Sequence, residues 1–340
     1  MREIRIKSTS IGHNHRSFII ADIGSNHKQD LSLAKESIDA ALEAGVDAVK
    51  FQSIQLDALY YQPNSKTAAF IKKLEFPEEW HYLLNEYTTK KGGIFFSSPT
   101  YLKAVDLLSE IDVPLFKLAS AQVGTFPQLV EKVAALNKPT IFSTGISGYS
   151  DVIEAVRIFK KHGNNQYIIL HCNSIYPTPA DRVNMHLMDT YRTMFDCPVG
   201  FSDHTEGIHI SLAAAVSGAN VIEKHFTLDR NLGTPDCSTF ASDPKEMAEL
   251  VRQVREIEKA LTQSEDRIDI QPEENAFKDE ITYRVFTNRA IQEGESIQPE
   301  SVQYLRYPKG INCKFTHMYI GKKAASNIPK NQLIQPSNLL

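Results

Sequence analysis

The sequence has no apolar run that approaches the ~20 residues needed to cross a bilayer. Its start, "MREIRIKSTSIGHNH", carries no apolar core of a secretion signal. The expected setting is the cytoplasm, with no membrane partner. An excess of one charge sign is also missing. Net charge is −4 over 340 residues, with both signs spread along the chain, so there is no electrostatic footprint for nucleic acid or an anionic surface. The four cysteines, Cys172, Cys197, Cys237 and Cys313, show no paired spacing. Neither a disulfide framework nor a zinc knuckle is expected.

What the chain does have is a 42% apolar fraction and a length that suits a large α/β domain plus a small one. Eight short apolar runs recur: "FIIADIG" (18–24), "DAVKFQ" (47–52), "GIFFSSP" (93–99), "LFKLAS" (115–120), "PTIFSTG" (139–145), "YIILHC" (167–172), "VGFSDH" (199–204) and "VIEKHF" (221–226). Each reads as a strand buried on both faces. Between the first two, "DLSLAKESIDAALEAG" predicts a helix with Asp30 as its N-cap and Gly45 at its end. Helical patterns follow at 101–110, 126–136, 150–162, 206–217 and 243–262. Eight strands alternating with helices over ~250 residues predict a (β/α)8 TIM barrel across 1–262. An open doubly wound sheet is the rival, but no glycine-rich dinucleotide loop follows the first strand. Residues 263–281 are polar and read as a linker. Residues 282–340 alternate apolar and polar between Gly and Pro turns, which predicts a small β-rich module. Within it, "SNIPKNQLIQPSNL" partly echoes "NRAIQEGESIQPESV".

In such a barrel the chemistry sits at the C-terminal strand ends. Here every strand ends in polar or ionisable residues, among them Asp22, Lys50, Gln52, Ser98, Lys117, Ser120, Gln122, Ser143, Ser174, Tyr176, Ser202, His204, Glu223 and His225. Strands must exit to water, so one polar end means little, whereas eight in register point to a site. Lys50 and Lys117, with the hydroxyls of Ser98, Ser120, Ser143 and Ser202, form a set able to cradle a phosphate. A lysine at a strand end can also snorkel outward. Period two favours the inward reading, because Lys50 shares a face with Ala48, and Lys117 with Leu115 and Ala119. His204 and His225 end consecutive strands ~4.8 Å apart. They can share one divalent ion, with Glu223 or Asp203 nearby, or they can be two hydrogen-bonded structural histidines. Period two also turns Lys224 away from Glu223 and His225, toward the surrounding helices.

With these residues assembled, the chain resembles the sialic acid synthase family of phosphoenolpyruvate-dependent synthases. The resemblance rests on "IADIGSNH", "GVDAVKFQ", "FFSSP", "FKLAS", "IFSTG", "LHCNSIYPTP", "GFSDHT", "EKHFTLD" and "GTPD", and on "NRAIQEGESIQPESV" in the C-terminal module. It implies a barrel that condenses phosphoenolpyruvate with an open-chain N-acyl hexosamine to a nine-carbon 2-keto sugar acid and phosphate. It implies that Lys50, Lys117, Ser98, Ser120, Ser143, Ser174 and Ser202 hold phosphoenolpyruvate, and that His204 and His225 hold Mn²⁺ or Mg²⁺. By the same resemblance Tyr176, Gln52, Glu223 and Asp236 contact sugar or metal-bound water. The C-terminal module resembles an antifreeze-like (SAF, β-clip) domain, one that in the family is exchanged across a homodimer.

Three positions depart from the family pattern. Asp22 stands where Glu is usual, Gln122 stands where a Glu is expected, and "LRYP" puts Tyr307 where an arginine usually precedes proline, with Arg306 one step earlier. All three belong to the sugar side. The expected reaction is therefore retained, while the acceptor is either N-acetylmannosamine or a 2,4-diacetamido-6-deoxy hexose that would give a legionaminic- or pseudaminic-type acid. A weak or non-catalytic carbohydrate-binding homologue is the remaining alternative.

Overall fold

The computed structural model describes residues 2–261 and 270–340. The chain divides into two compact units, Met1–Thr262 and Gln263–Leu340.

The first unit is a parallel barrel sheet. Its strands are β1 (Phe18–Gly24), β2 (Ala48–Ser53), β3 (Ile94–Pro99), β4 (Phe116–Leu118), β5 (Thr140–Ser143), β6 (Tyr167–Cys172), β7 (Val199–Asp203) and β8 (Val221–His225). The hydrogen-bonded order runs β3-β2-β1-β8-β7-β6-β5-β4, so the last strand pairs with the first, as a barrel requires. Every residue of these strands is buried except Gln52, which is partly exposed.

Period two sorts the side chains into two cores. Ile20, Ala48, Phe96, Leu115, Ile141, Ile168, Leu170 and Val221 point inward and fill the barrel. Ile19, Val49, Phe51, Phe95, Phe142, Ile169, Phe201 and Ile222 point outward against the helices. A short antiparallel hairpin, Ile4–Ile6 with Thr9–Ile11, adds Ile4, Ile6 and Ile11 to the inner core. The inner apolar layers thus end before the polar strand tips, so those tips are carried on a packed, rigid support.

Six of the helices around the sheet fall on segments that the sequence marks as helical, while Glu78–Lys90 and Leu187–Phe195 do not. α1 (Leu31–Glu43) begins where the Asp30 carboxylate accepts from the N–H groups of Ser32 and Leu33. α2 (Glu78–Lys90), α3 (Leu102–Glu110), α4 (Pro127–Ala135), α5 (Tyr149–Lys161), α6 (Leu187–Phe195), α7 (His209–Val216) and α8 (Pro244–Leu261) follow it around the sheet. Each of α2 to α8 sets buried apolar or small residues against the outer strand faces, and α8 does so with Met247, Leu250 and Val254.

The second unit carries an antiparallel pair, Tyr283–Thr287 with Val302–Arg306, and isolated bridges such as Phe286 to Leu333 and Ile291 to Ile328. Its core is Val285, Ile291, Ile297, Val302, Ala324, Ile328 and Ile334. The sequence echo is a structural repeat. Ile297 and Ile334 are both fully buried, and each opens an "IQP" turn. In these turns the Gln298 N–H donates to Ser301 Oγ at 3.1 Å and the Gln335 N–H to Asn338 Oδ1 at 2.8 Å. Of the expected linker 263–281, residues 263–269 lie outside those described, and Pro272–Ile281 form a helix. That helix buries none of its residues, so it has no apolar stripe to betray it.

Candidate active site

The inward strand tips meet at the barrel mouth. Asp22 on β1 is the cross-strand neighbour of Lys50 on β2 and of His225 on β8. Lys50 Nζ donates to Asp22 Oδ2 at 2.7 Å, and His225 Nε2 lies 3.7 Å from the same oxygen. Glu223 sits one layer below His225. Its Oε1 is 3.6 Å from Lys50 Nζ and 3.5 Å from Lys117 Nζ, and it accepts from Ser202 Oγ at 2.9 Å. Lys117 Nζ donates to Ser143 Oγ at 2.7 Å. Two lysines and two carboxylates are thus buried together, none more than 3% exposed.

Charges so buried are costly unless paired, and their proton affinities reflect the compromise. Burial pushes the Asp22 carboxyl above its ordinary value, against the pull of Lys50 and His225. Burial acts the same way on Glu223, but Lys117 and Lys50 outweigh it and hold its pKa at about 2. Burial pulls the Lys117 ammonium below its usual range. It does the same to Lys50, but Asp22 and Glu223 more than compensate and raise it. The quartet is a fixed set of opposed charges that already faces inward before any substrate arrives.

A second cluster is made of hydroxyls. Ser120, at the start of a short helix Ser120–Thr125, lies 3.1 Å (Oγ to Oγ) from Ser174. Gly145 backs both. A Cβ there would lie 2.3 Å from Ser174 Oγ and 2.7 Å from Ser120 Oγ. Its N–H donates to Cys172 Sγ at 3.1 Å. This glycine keeps the corner open and was not singled out by sequence, although it ends the "STG" run.

The third cluster is aromatic. The His204 and His225 ring centroids are 5.3 Å apart, and the Tyr176 ring packs on both, at 4.2 and 6.1 Å. His204 Nδ1 is 2.6 Å from the Asn173 carbonyl, so it carries the proton and leaves Nε2 as the lone-pair nitrogen. Burial, then His225, depress the His204 pKa to about 3, which keeps the ring neutral. His225 Nδ1 is buried with no protein hydrogen-bond partner. Two imidazoles side by side, each with a nitrogen to offer, fit a divalent cation whose other positions are filled by water or substrate. Among the described residues no group of three or more His, Cys, Asp and Glu forms a closed cage.

Asp236 joins the rim from a 3-10 turn, Pro235–Cys237. Its Oδ2 accepts the Ser25 N–H at 3.2 Å. Gly24, at φ 55°, allows this approach, since a Cβ there would lie 2.7 Å from Asp236 Oδ2 and 3.5 Å from Gln52 Nε2. Ser98 Oγ, Gln122 Oε1, Glu223 Oε2 and Asp22 Oδ1 are buried without a protein partner. Such polar atoms call for a ligand or water.

The structure therefore gathers Asp22, Lys50, Lys117, Ser143, Ser202, Glu223, His204, His225 and Tyr176 into one connected mouth, with the Ser120–Ser174 pair in its own corner and Gln52 and Asp236 at the rim. Lys50 turns its ammonium to carboxylates and not to the hydroxyls expected around it. Asp203 is not beside the histidines: it faces outward and meets Lys224. His171, on β6, also turns outward, to the Val183 carbonyl. Arg306 lies in the second unit, where its guanidinium stacks over Tyr283, 5.4 Å from the ring centroid.

Residues 37–266 match the NeuB family. The chain belongs to the NeuB family. It is 35% identical to the N,N'-diacetyllegionaminic acid synthase of Campylobacter jejuni, over 94% of this chain and 99% of that one. It is 34% identical to the human N-acetylneuraminate-9-phosphate synthase, over 95% and 93%. Among solved structures it resembles the sialic acid synthetase of Leptospira borgpetersenii, determined with citrate, with 36% identity, 81% and 94% coverage, and a TM-score of 0.75. NeuB relatives named for different sugars are thus about equally distant, and identity does not rank their acceptors. Among the described residues no helix of this NeuB chain is long and apolar enough to cross a membrane.

Proposed function

We propose that the chain condenses phosphoenolpyruvate with an open-chain N-acyl hexosamine to give a nine-carbon 2-keto acid and phosphate. The observation that carries this is the buried Asp22–Lys50–Glu223–Lys117 quartet beside a hydroxyl corner. An anionic three-carbon substrate needs fixed cations and hydroxyl donors, and the carbon chemistry needs carboxylates where positive charge develops.

In this reading Lys117, Ser143, Ser120 and Ser174 hold the phosphate, with Ser98 and Ser202 completing the shell. Lys50 keeps the substrate carboxylate against Asp22. The methylene carbon of phosphoenolpyruvate forms a bond to the acceptor aldehyde carbon. Positive charge at the former enol carbon lies near Glu223, held ionised by the two lysines. Water adds at that carbon, the C–O bond to phosphate breaks, and the keto group forms. His204 and His225 would hold Mn²⁺ or Mg²⁺, which would supply a Lewis acid for the aldehyde oxygen. Tyr176, packed against both rings, fixes their planes, and Gln52, Gln122 and Asp236 orient the sugar. The working form is a cytoplasmic homodimer.

A di-N-acyl, 6-deoxy acceptor is the second reading. It is favoured by Gln122, whose buried Oε1 can only accept and so suits an acylamido N–H. Phosphate release from phosphoenolpyruvate with a panel of N-acyl hexosamines, with Mn²⁺ and with chelator, tests the proposal. Release should require both a sugar and the ion. Release that survives chelation and His225→Ala would remove the metal assignment.

A further inference from the structure

Behind the two histidines, on the opposite face of the sheet, lies a buried ion pair. Lys224 precedes His225 on β8, and Asp203 precedes His204 on β7; they are 1% and 0% exposed. They are also the last registered pair of the β7–β8 ladder, which runs Ile222 to Phe201, Glu223 to Ser202 and Lys224 to Asp203. The ladder stops one residue short of both histidines, so no backbone bond of that ladder sets their spacing.

Side chains take over at that point. Lys224 Nζ donates to Asp203 Oδ2 at 3.1 Å and to the Thr205 carbonyl at 2.6 Å. Asp203 Oδ1 accepts the Thr205 N–H at 2.7 Å, and Oδ2 accepts Ser211 Oγ from α7 at 2.6 Å. Both backbone groups of Thr205 are therefore tied to the same buried pair. His204 is held between Asp203 and Thr205, with its carbonyl accepting the Thr178 N–H at 2.8 Å. On the other strand, Phe226 N–H donates to the Asp22 carbonyl and Ser242 N–H to the His225 carbonyl, both at 2.8 Å. Each histidine is anchored within its own neighbourhood. The link from one strand end to the other runs through Lys224.

We propose that Lys224 is a positioning residue that sets the separation of the His204 and His225 rings from behind the sheet. A charge pair alone would satisfy a buried lysine. The second bond, to the Thr205 carbonyl past the end of the ladder, is what ties the loop after β7 to β8. The geometry stands without the metal reading, but its functional meaning rests on that reading.

The test uses the full chain. Lys224→Met removes both bonds and leaves Asp203 buried without its partner, so the single variant risks misfolding. The double variant Asp203→Asn/Lys224→Met removes both charges together and leaves an amide oxygen for the Thr205 N–H. Three quantities are measured on folded protein: Mn²⁺ affinity by calorimetry, phosphoenolpyruvate affinity, and the ring separation in a crystal structure. The expected result is a loss of about 10- to 100-fold in Mn²⁺ affinity, the range for partners that orient metal ligands. Phosphoenolpyruvate affinity should be retained, because Lys117, Ser143, Ser120 and Ser174 have no contact with the pair. The ring separation should depart from 5.3 Å. Lys224→Arg, which keeps donors for both acceptors, should recover Mn²⁺ affinity.

A folded double variant with native Mn²⁺ affinity and a 5.3 Å separation overturns the proposal and leaves Lys224 a core ion pair. Parallel loss of both affinities also overturns it. If the native chain binds no Mn²⁺, the metal reading fails, and the crystallographic separation alone then decides: a changed spacing upholds the inference and an unchanged one refutes it.

Discussion

Replacing Gly145 by alanine offers a sharp test of the hydroxyl corner. The backbone there is in no left-handed region, so alanine strains no dihedral angle. The obstacle is space. The new Cβ would stand 2.3 Å from Ser174 Oγ and 2.7 and 2.9 Å from Ser120 Oγ and Cβ. Ser174 Oγ can escape by rotating and must retreat by about 1 Å to regain ordinary contact. Ser120 must move as a residue, because its own Cβ is touched. Both hydroxyls then leave their places. A hydrogen bond to a charged group is worth about 1.5–3 kcal/mol, and partial loss of two such bonds amounts to about 3 kcal/mol. That is about 100-fold in kcat/KM for phosphoenolpyruvate, the same size as a ~1 Å misplacement. Stability should fall by no more than about 2–3 kcal/mol. The overpacking cost of about 1–3 kcal/mol is offset in part by about 0.4–1 kcal/mol from the stiffer unfolded chain. Steady-state kinetics with phosphoenolpyruvate as the varied substrate, beside thermal unfolding, measures both. A folded Gly145→Ala protein with native phosphoenolpyruvate kinetics would refute the placement of phosphate at Ser120 and Ser174.

Three further outcomes follow from the geometry. Lys117→Met keeps the length of the side chain but removes the donor to Ser143, and kcat/KM for phosphoenolpyruvate should fall about 100- to 1000-fold; a change under tenfold would remove Lys117 from the phosphate shell. His27 is caged by Phe51, Phe76 and Trp80, and burial lowers its pKa from 6.5 to about 4. The unfolded chain therefore takes up the proton first, and the His27 share of stability, complete above pH 6.5, is lost as pH falls toward about 4. That share is about 2 kcal/mol between pH 7 and pH 5. Urea midpoints at the two pH values should show a smaller drop in His27→Asn than in the native chain, and equal drops would contradict the linkage. Ile6 is fully buried in the inner core, so Ile6→Ala should cost about 2–5 kcal/mol in urea unfolding; under 1 kcal/mol would mean the hairpin does not support the barrel.

The barrel was legible because strands buried on both faces must be written as continuous apolar runs, and all eight runs became strands. The Asp30 cap and the Gly45 stop were legible because each acts on its immediate neighbours. Period two separated Lys224 from Glu223 and His225, and the structure places Lys224 on the outer face. Its partners were not legible. Asp203 and Thr205 are some twenty residues away, and only the β7–β8 register brings them to Lys224. The 4–11 hairpin escaped notice because its strands have three residues each. α2 escaped because its buried Trp80, His81, Leu84 and Thr88 make a mixed stripe. Gly145 is only the last residue of the "PTIFSTG" run in sequence, and its role emerges only when Ser120 and Ser174, from two other strand ends, converge on it. Contacts of this kind are properties of the barrel sheet, not of any short segment.

The most direct measurement is product mass from ¹³C-labelled phosphoenolpyruvate incubated with each N-acyl amino sugar and Mn²⁺. The geometry predicts, for at least one acceptor, a 2-keto acid heavier than that sugar by one labelled three-carbon unit, formed with one phosphate released. Label found only in free pyruvate, or left in phosphoenolpyruvate with every sugar, would contradict the synthase assignment.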